Sequence, residues 1–338
     1  MNAVFIITID TEGDNIWSRP ETITTENSRF LPRFQALCEK YGFKPVYLTN
    51  YEMAVDPRFQ QFGREVLARG AGEIGLHVHA WNSPPLDGQK YDPRRDLIYL
   101  FELPDDLLAA KIDRLHTLLA DTFGQAPISH RAGRWGFDER VARMLVERGY
   151  TVDCSVTPGV SWRGSLGAPD GAGGSDYTGF PYHPYFMDLD DLSKPGDSPL
   201  LQVPMTIRPT PNPIAATLLP RIKGTAAQRA VERFFGGEHV WLRPNGRNLR
   251  EMLALVERVL AEGAPVLEFM LHSCEFMPGG SPLFITEAEI ERLYNHLEKL
   301  FQTIAGHGVP GMTLAEYRAV HQPNARPEIT SLTMPEPD

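Results

Sequence analysis

Functional side chains follow two of the apolar runs in this chain, where packing alone gives no reason for them. Asp10 and Glu12 stand at the end of the run 4–9, and His77 and His79 end a later run. Because side chains two residues apart on a strand share a face, each pair presents its groups together. Carboxylates and imidazoles placed in this way can ligate a divalent metal, zinc in particular. The ordinary alternatives are a helix N-cap or solvated strand end for the acids and two surface histidines.

Two more functional groups stand where strand-like segments end. Arg131 lies in the segment 128–136, which passes from a short strand into a glycine-punctuated loop, and His272 follows the apolar run 265–271. Ligands of open parallel sheets gather outside the carboxyl ends of the strands. We therefore expect these two groups to meet the acid and histidine pairs at one edge of a sheet.

The elements that must position these groups alternate between strand and helix. This alternation is typical of a parallel α/β sheet with crossover helices. The segments, strand-like and helical in turn, are 4–9, 26–41, 45–49, 59–69, 73–81, 105–123, 128–136, 138–149, 152–156, 249–261 and 265–271.

Three segments depart from this rhythm. Residues 13–20 have turn composition around Trp17, which suggests a loop at the mouth of a site. Residues from about 157 to 246 are rich in glycine, proline and aromatic side chains, and we predict an insertion that covers the carboxyl ends of the strands. We expect one domain over residues 1–321 and a disordered tail over 322–338, which carries little apolar content.

The composition excludes some classes of partner. The chain has 338 residues, 42% of them hydrophobic, and a formal net charge of −10 with no basic stripe, which argues against nucleic acid or an anionic membrane. The three cysteines, Cys38, Cys154 and Cys274, form no CxxC spacing and suggest reduced thiols. No apolar run approaches the roughly 20 residues that span a bilayer, and no leader is recognisable. We expect a cytoplasmic location without a transmembrane segment.

Five segments resemble, in order and rough spacing, the motifs of the polysaccharide deacetylase (NodB-homology) superfamily. They are TIDTE at 8–12, EIGLHVH at 73–79, HRAG at 130–133, DCS at 153–155 and LHS at 271–273. The resemblance covers about residues 3–320 outside the insertion and is closest to a divergent bacterial group of WalW type, linked to lipopolysaccharide biosynthesis. It implies an incomplete, distorted (β/α)7 barrel of parallel strands that holds one divalent metal ion, usually zinc.

The chain departs from the superfamily pattern in two motifs. The usual first motif has two adjacent aspartates, but Thr11 occupies the second position. The usual second motif has histidines four residues apart, but Trp81 stands four residues after His77. We infer that Glu12 and His79 take over the missing functions, since each shares a strand face with its partner. Which acid of the first motif is the base and which the ligand stays open.

The resemblance implies hydrolysis of an N-acetyl group on a carbohydrate, such as a cytoplasmic sugar or glycan precursor. Asp10 is then the general base, held by Arg131, and His272 is the acid that protonates the leaving amine. The implied metal ligands are Glu12, His77 and His79. The predicted substrate contacts are Trp81, Arg134, Trp135, Tyr185 and Glu275, although the aromatic residues could equally line a hydrophobic mouth.

Two other functions compete with a deacetylase. The altered motifs are compatible with a catalytically silent homologue that binds metal or glycan. The sequence Asp10-Thr11-Glu12-Gly13 also resembles the first motif of DEDD-type exonucleases. That family needs a late His or Tyr followed closely by Asp, which the segments after His130 and His272 lack, and the net acidity disfavours a nucleic-acid substrate.

Overall fold

The computed structural model describes residues 3–87, 92, 96–210, 213–223, 227 and 238–321, so the predicted tail lies outside the described residues. The strands are β1 Val4–Thr11, β2 Pro45–Thr49, β3 Glu73–Val78, β4 Ser129–Ala132, β5 Val152–Asp153, β6 Tyr185–Asp188, β7 Asp191–Pro195, β8 Leu201–Gln202, β9 Ile207–Pro209, β10 His239–Trp241 and β11 Val266–His272. The α-helices are α1 Leu31–Lys40, α2 Tyr51–Ala54, α3 Pro57–Ala68, α4 Asp105–Phe123, α5 Glu139–Glu147, α6 Pro213–Leu218, α7 Leu249–Ala261, α8 Glu287–Gly306 and α9 Leu314–Val320.

One curled, mostly parallel sheet organises the described part of the chain. Its strand order is β11-β1-β2-β3-β4-β5-β8-β6-β7. Neighbours from β11 through β8 pair in parallel. The last two strands, β6 and β7, are antiparallel to their neighbours. The sheet forms a half-barrel, which is consistent with the predicted distorted barrel.

Strand β1 shows why both faces of this sheet are apolar. Phe5, Ile7 and Ile9 belong to a large core, while Val4 and Ile6 belong to a second core with side chains from β2, β5 and β11. Strands covered on both faces read as continuous apolar runs rather than alternating ones. Side chains two residues apart on a strand share a face, so positions 8, 10 and 12 continue the face of Val4 and Ile6. Asp10 and Glu12 therefore lie on that face at the carboxyl end of the curled sheet.

The region predicted as an insertion contributes to the sheet as well as to loops. Strands β6 to β8 all come from it, and its residues Thr206 and Leu242 bind the free edge of β11. Thr206 N donates to Glu268 O (3.2 Å), and Met270 N donates to Leu242 O (3.4 Å). Residues from this region therefore occupy part of the gap that the open edge of β11 leaves.

The helices follow the sequence pattern closely. Helices α4 and α7 have the predicted bounds, and the predicted helix over 26–41 begins as a 3-10 turn before α1, whose first turn contains Pro32. Gly124 ends α4 with φ of 72°, a left-handed conformation that glycine adopts without strain. Among the described residues, every helix is too short or too polar to cross a membrane.

Candidate metal and catalytic site

Two imidazoles from the end of β3 face each other inside the sheet. His77 Nδ1 lies 2.8 Å from the Arg131 carbonyl oxygen, which can only accept, so Nδ1 carries the proton. The lone pair of His77 Nε2 then points toward His79 Nε2, 2.9 Å away. The pair has the face-sharing geometry that the two-residue spacing predicts.

Glu12 completes a three-residue group with the two histidines. Its Oε2 lies 3.3 Å from His79 Nε2 and 3.6 Å from His77 Nε2. The possible ligand atoms of the three buried side chains lie within 4.8 Å of one another. One carboxylate and two imidazoles form a donor set suited to a divalent ion such as zinc.

Hydrogen bonding and electrostatics also suit a metal here. Glu12 Oε1 is buried and has no hydrogen-bond partner among the described residues, a costly arrangement unless a ligand completes it. Burial and the neighbouring His77 hold the pKa of His79 well below its usual range. Burial also opposes protonation of His77, but Asp10 and Glu12 outweigh it and raise the pKa of His77. His79 is therefore neutral, as a metal ligand must be.

Glu12 is held in place by Ser273, which follows β11, and by the loop that follows Glu12 itself. The Ser273 hydroxyl lies 3.1 Å from both the backbone N and the backbone O of Glu12. Asn27 Nδ2 donates to the same Glu12 O (2.9 Å), and the Asp14 carboxylate accepts from the Asn27 backbone N (3.0 Å) and the Thr24 hydroxyl (2.8 Å). The first loop is thus pinned beside the site.

Asp10 belongs to a second buried network, centred on Arg131. Arg131 Nη1 donates to Asp10 Oδ1 (2.6 Å), and its Nη2 donates to Glu268 Oε1 (2.7 Å) and to the Thr8 hydroxyl (2.7 Å). Arg131 Nε donates to the Cys154 carbonyl oxygen (3.1 Å). The guanidinium is fully buried, and its donors meet acceptors on three other strands or strand ends.

The Arg131 network sets the ionisation of its carboxyls. Burial alone would raise the pKa of Asp10, but Arg131, with His77 and His272, lowers it to about 2. Burial outweighs Arg131 at Glu268 and raises the pKa of that carboxyl. Asp10 is therefore ionised at neutral pH. Its second oxygen, Oδ2, lies 3.8 Å from His77 Nε2 and 3.9 Å from His272 Nε2.

His272 ends β11 and faces both acids. Its Nε2 is 3.7 Å from Glu12 Oε1, while its Nδ1 is 3.1 Å from Glu275 Oε2. Glu275 also accepts from the His272 backbone N (2.7 Å) and from Arg243 Nη2 (3.2 Å). Burial opposes the ionised form of Glu275, but Arg243 and His272 lower its pKa to about 2. We therefore correct the expected substrate contact: Glu275 is fully buried and orients His272.

A cavity of about 270 Å³ opens over these groups. Eight of the predicted site residues line it: Asp10, Glu12, His77, His79, Trp81, Arg134, Trp135 and His272. Trp17 lines it too, with its ring edge-on to His272 at 4.9 Å between centroids. Further lining residues, which the sequence analysis did not single out, are Ile16, Leu97, Tyr99, Trp162, Ser165 and Arg243.

Tyr185 lies elsewhere, which corrects another expected substrate contact. It belongs to β6, and its hydroxyl donates to the Leu192 carbonyl oxygen (2.7 Å) in the adjoining strand β7. The side chain is 5% exposed and packs in the large core. Tyr185 therefore stabilises the antiparallel edge of the sheet.

Glu268 and Arg243 are functional neighbours that the sequence analysis missed. Glu268 had a detectable signal, because it is an acid within the apolar run of β11 and shares strand parity with His272. Arg243 had none, since it stands in a turn after β10 and reaches Glu275 only through the tertiary fold.

Neither a protein-family model nor a curated protein matches the chain, but solved structures do. A protein from Mycobacterium smegmatis assigned as a polysaccharide deacetylase is 13% identical with a TM-score of 0.53, covering 97% of this chain and 96% of that chain. The 4-α-glucanotransferase of Thermococcus litoralis is 14% identical with a TM-score of 0.51, covering 96% of this chain and 41% of that chain.

A GH57-type branching enzyme from Pyrococcus horikoshii is similar at 9% identity and a TM-score of 0.51, covering 95% of this chain and 70% of that chain. At these identities the likeness establishes the fold alone. These similarities are consistent with the predicted distorted barrel, and enzymes named for glucan transfer and branching resemble this fold as well.

Proposed function

We propose that this protein is a metal-dependent hydrolase that removes an N-acetyl group from a carbohydrate. The observation that carries the proposal is the convergence of Glu12, His77 and His79 with Asp10 and His272 at one buried point. His272 Nε2 lies 3.7 Å from Glu12 Oε1 and 3.9 Å from Asp10 Oδ2. The proposed metal ligands, the proposed base and the proposed acid therefore border one cavity.

Glu12, His77 and His79 are the residues that would hold the ion. A bound divalent ion, zinc by our expectation, supplies Lewis acidity toward water and toward the amide carbonyl. The chain contributes the donor set and the neutral state of His79.

Asp10 is suited to take a proton at its Oδ2 atom. Arg131 occupies Oδ1 and keeps the carboxylate ionised and oriented, which leaves Oδ2 directed at His77 and His272. The low pKa makes Asp10 a weak base, so it would accept a proton only from an unusually acidic donor. Arg131 thus fixes orientation at the expense of basicity.

His272 is suited to give a proton to the leaving amine. Glu275 Oε2 and Arg243 Nη2 each lie 3.1 Å from Nδ1 of His272, and these contacts favour the imidazole orientation in which Nε2 faces the two acids. A histidine side chain is a common general acid in catalysis. Glu275 and Arg243 therefore act through His272.

The composition of the site favours amide hydrolysis over the glucan chemistry that other proteins of this fold perform. Glycoside cleavage generally uses two carboxyl groups that flank the scissile bond. Here Glu12 faces two imidazoles, and Asp10 has one oxygen bound by Arg131. Zinc as the ion, membership of the WalW-type group, a lipopolysaccharide precursor as substrate and a cytoplasmic location stay predictions.

Metal analysis followed by acetate-release assays on N-acetylated sugars tests the proposal. We expect about one divalent ion per chain, and acetate release that stops on chelation and returns when metal is restored. Bound metal without acetate release from any N-acetyl sugar would instead favour the silent binding homologue. Full acetate release from metal-free protein would remove the metal from the proposal.

A further inference from the structure

Arg134 lines the cavity without a carboxylate partner among the described residues. Its guanidinium donates to the Leu97 carbonyl oxygen and to the Leu166 carbonyl oxygen (3.2 Å), and it lies over the Tyr99 ring at 4.2 Å. A guanidinium has five N–H donors, so most of them remain for a ligand. Carbonyl oxygens and an aromatic face orient the cation but leave its charge uncompensated.

The other two arginines around the site are compensated. Arg131 pairs with Asp10 at 2.6 Å, and Arg243 pairs with Glu275 at 3.2 Å. Burial lowers the pKa of Arg134, and Arg19 adds to this effect, although Tyr99 and Glu102 oppose it. A partly buried cation without a counter-charge costs free energy, and a bound anion would recover it.

The backbone that carries Arg134 is strained. Arg134 and Trp135 have φ values of 54° and 60°, two consecutive left-handed residues, and neither is glycine. The flanking glycines are crowded, since a Cβ on Gly133 would overlap the His79 ring and a Cβ on Gly136 would overlap Tyr99. Strain of this kind persists only where surrounding structure enforces it, and it clusters at ligand sites. Here the turn directs both side chains to the cavity.

The size of the cavity limits what Arg134 can bind. About 270 Å³ lies below the usual range for drug-sized ligands, ~300 to 1,000 Å³, and suits a sugar unit with one substituent. Arg134 lines the same cavity as Glu12, His77 and His79. An anion at Arg134 and an acetamido group beside Glu12, His77 and His79 can therefore belong to one small molecule.

Resting on the proposed function, we propose that the substrate is a small acidic amino-sugar derivative whose phosphate or carboxylate binds Arg134. The planar guanidinium fork matches either anion with paired hydrogen bonds. Trp81, Trp135 and Trp162 line the same cavity and offer aromatic surface to the sugar ring.

The test compares three sugars with the metal-loaded enzyme. They are N-acetylglucosamine, N-acetylglucosamine 1-phosphate and the corresponding uronic acid, 2-acetamido-2-deoxyglucuronic acid. We expect kcat/KM for acetate release to be at least about tenfold higher for one acidic sugar, the usual worth of a hydrogen bond to a charged group. The two acidic sugars distinguish phosphate from carboxylate recognition.

Arg134→Gln should lower kcat/KM far more for the preferred acidic sugar than for the neutral sugar, mainly through KM, and Arg134→Lys should retain part of the preference. Arg163→Gln is the matched control, because Arg163 is an exposed cation of the same region that pairs with Asp176 outside the cavity lining. An equal loss for charged and neutral sugars in Arg134→Gln would indicate a purely structural role and overturn the proposal.

Calorimetric binding of the same sugars separates this proposal from the proposed function. If no sugar releases acetate, the deacetylase assignment fails. Tighter binding of an acidic sugar by wild type than by Arg134→Gln would then still support the anion site. Equal binding of acidic and neutral sugars by wild type would overturn it.

Discussion

Two neighbouring regions of the barrel mouth treat their buried charges differently. Around Arg131, the donors meet Asp10, Glu268 and protein oxygens, so the network is held together by the chain itself. Around Glu12, two imidazole nitrogens crowd one carboxylate, and Glu12 Oε1 lacks a partner among the described residues. The first region carries its own counter-charge, whereas the second is arranged to receive one.

This difference distinguishes buried polar groups that the protein itself satisfies from buried polar groups that a ligand would satisfy. Asp10, which is buried beside Arg131, stays ionised, as its lowered pKa indicates. A carboxyl near the Glu12 group behaves in the opposite way: burial, with repulsion from Glu12, raises the pKa of Glu52 to about 7. Substitutions in the first region should cost stability, and substitutions in the second should cost metal and activity.

The largest expected effect is the loss of Arg131. Arg131→Met leaves Asp10 and Glu268 buried without their cation, and we expect the free energy of unfolding to fall by about 3–5 kcal/mol. Urea denaturation measures it. Arg143→Met is the control, because its ion pair with Asp190 is exposed and should cost less than about 1 kcal/mol. A near-equal change in both variants would contradict the comparison.

Loss of a ligand from the Glu12 group should come next. We expect Glu12→Gln and His79→Ala each to weaken divalent metal binding by about 100-fold or more. This loss exceeds the effect on metal affinity that residues hydrogen-bonded to the ligands usually have. Asp10→Asn should keep the metal, because Arg131 already binds that side chain. Metal titration with a chromogenic competitor measures all three. If Asp10→Asn loses the ion and Glu12→Gln retains it, the ligand and base are exchanged.

The acid assignment predicts a purely kinetic effect. His272→Ala should lower acetate release by roughly 10²-fold, the usual worth of a positioned general acid, with metal content unchanged. Glu275→Gln should lower it less, since it disturbs the orientation of the imidazole and leaves the acid itself in place. Lost metal in His272→Ala would instead make His272 a ligand, and an unaltered rate would remove it from the mechanism.

The smallest expected effect concerns pH and Glu52. Its pKa is raised in the folded state, so the fold favours the neutral carboxyl, and stability should fall as pH rises from about 4.5 through about 7. We expect metal-free protein to lose about 1 to 2 kcal/mol between pH 5 and pH 8, with a flatter profile in Glu52→Gln. Bound metal should reduce the slope by offsetting Glu12. A profile unchanged in Glu52→Gln would assign the slope to other groups.

Local patterns in the sequence determined much of the fold and half of the site. Helical periodicity was sufficient for the bounds of α4 and α7, because an amphipathic stripe and a C-terminal glycine are local signals. Two-residue spacing was sufficient to pair Glu12 with Asp10 and His77 with His79, because alternation along a strand is a property of the backbone.

Tertiary structure alone decided which groups meet across strands and loops. The pairing of Arg131 with Glu268, and of Arg243 with Glu275, joins residues 137 and 32 positions apart, and no local periodicity encodes that distance. Tyr185 shows the converse, since its aromatic character suggested a sugar contact while the hairpin of β6 and β7 buries it in the core. Periodicity sets the face on which a side chain lies, but the register and curl of the sheet determine what that side chain touches.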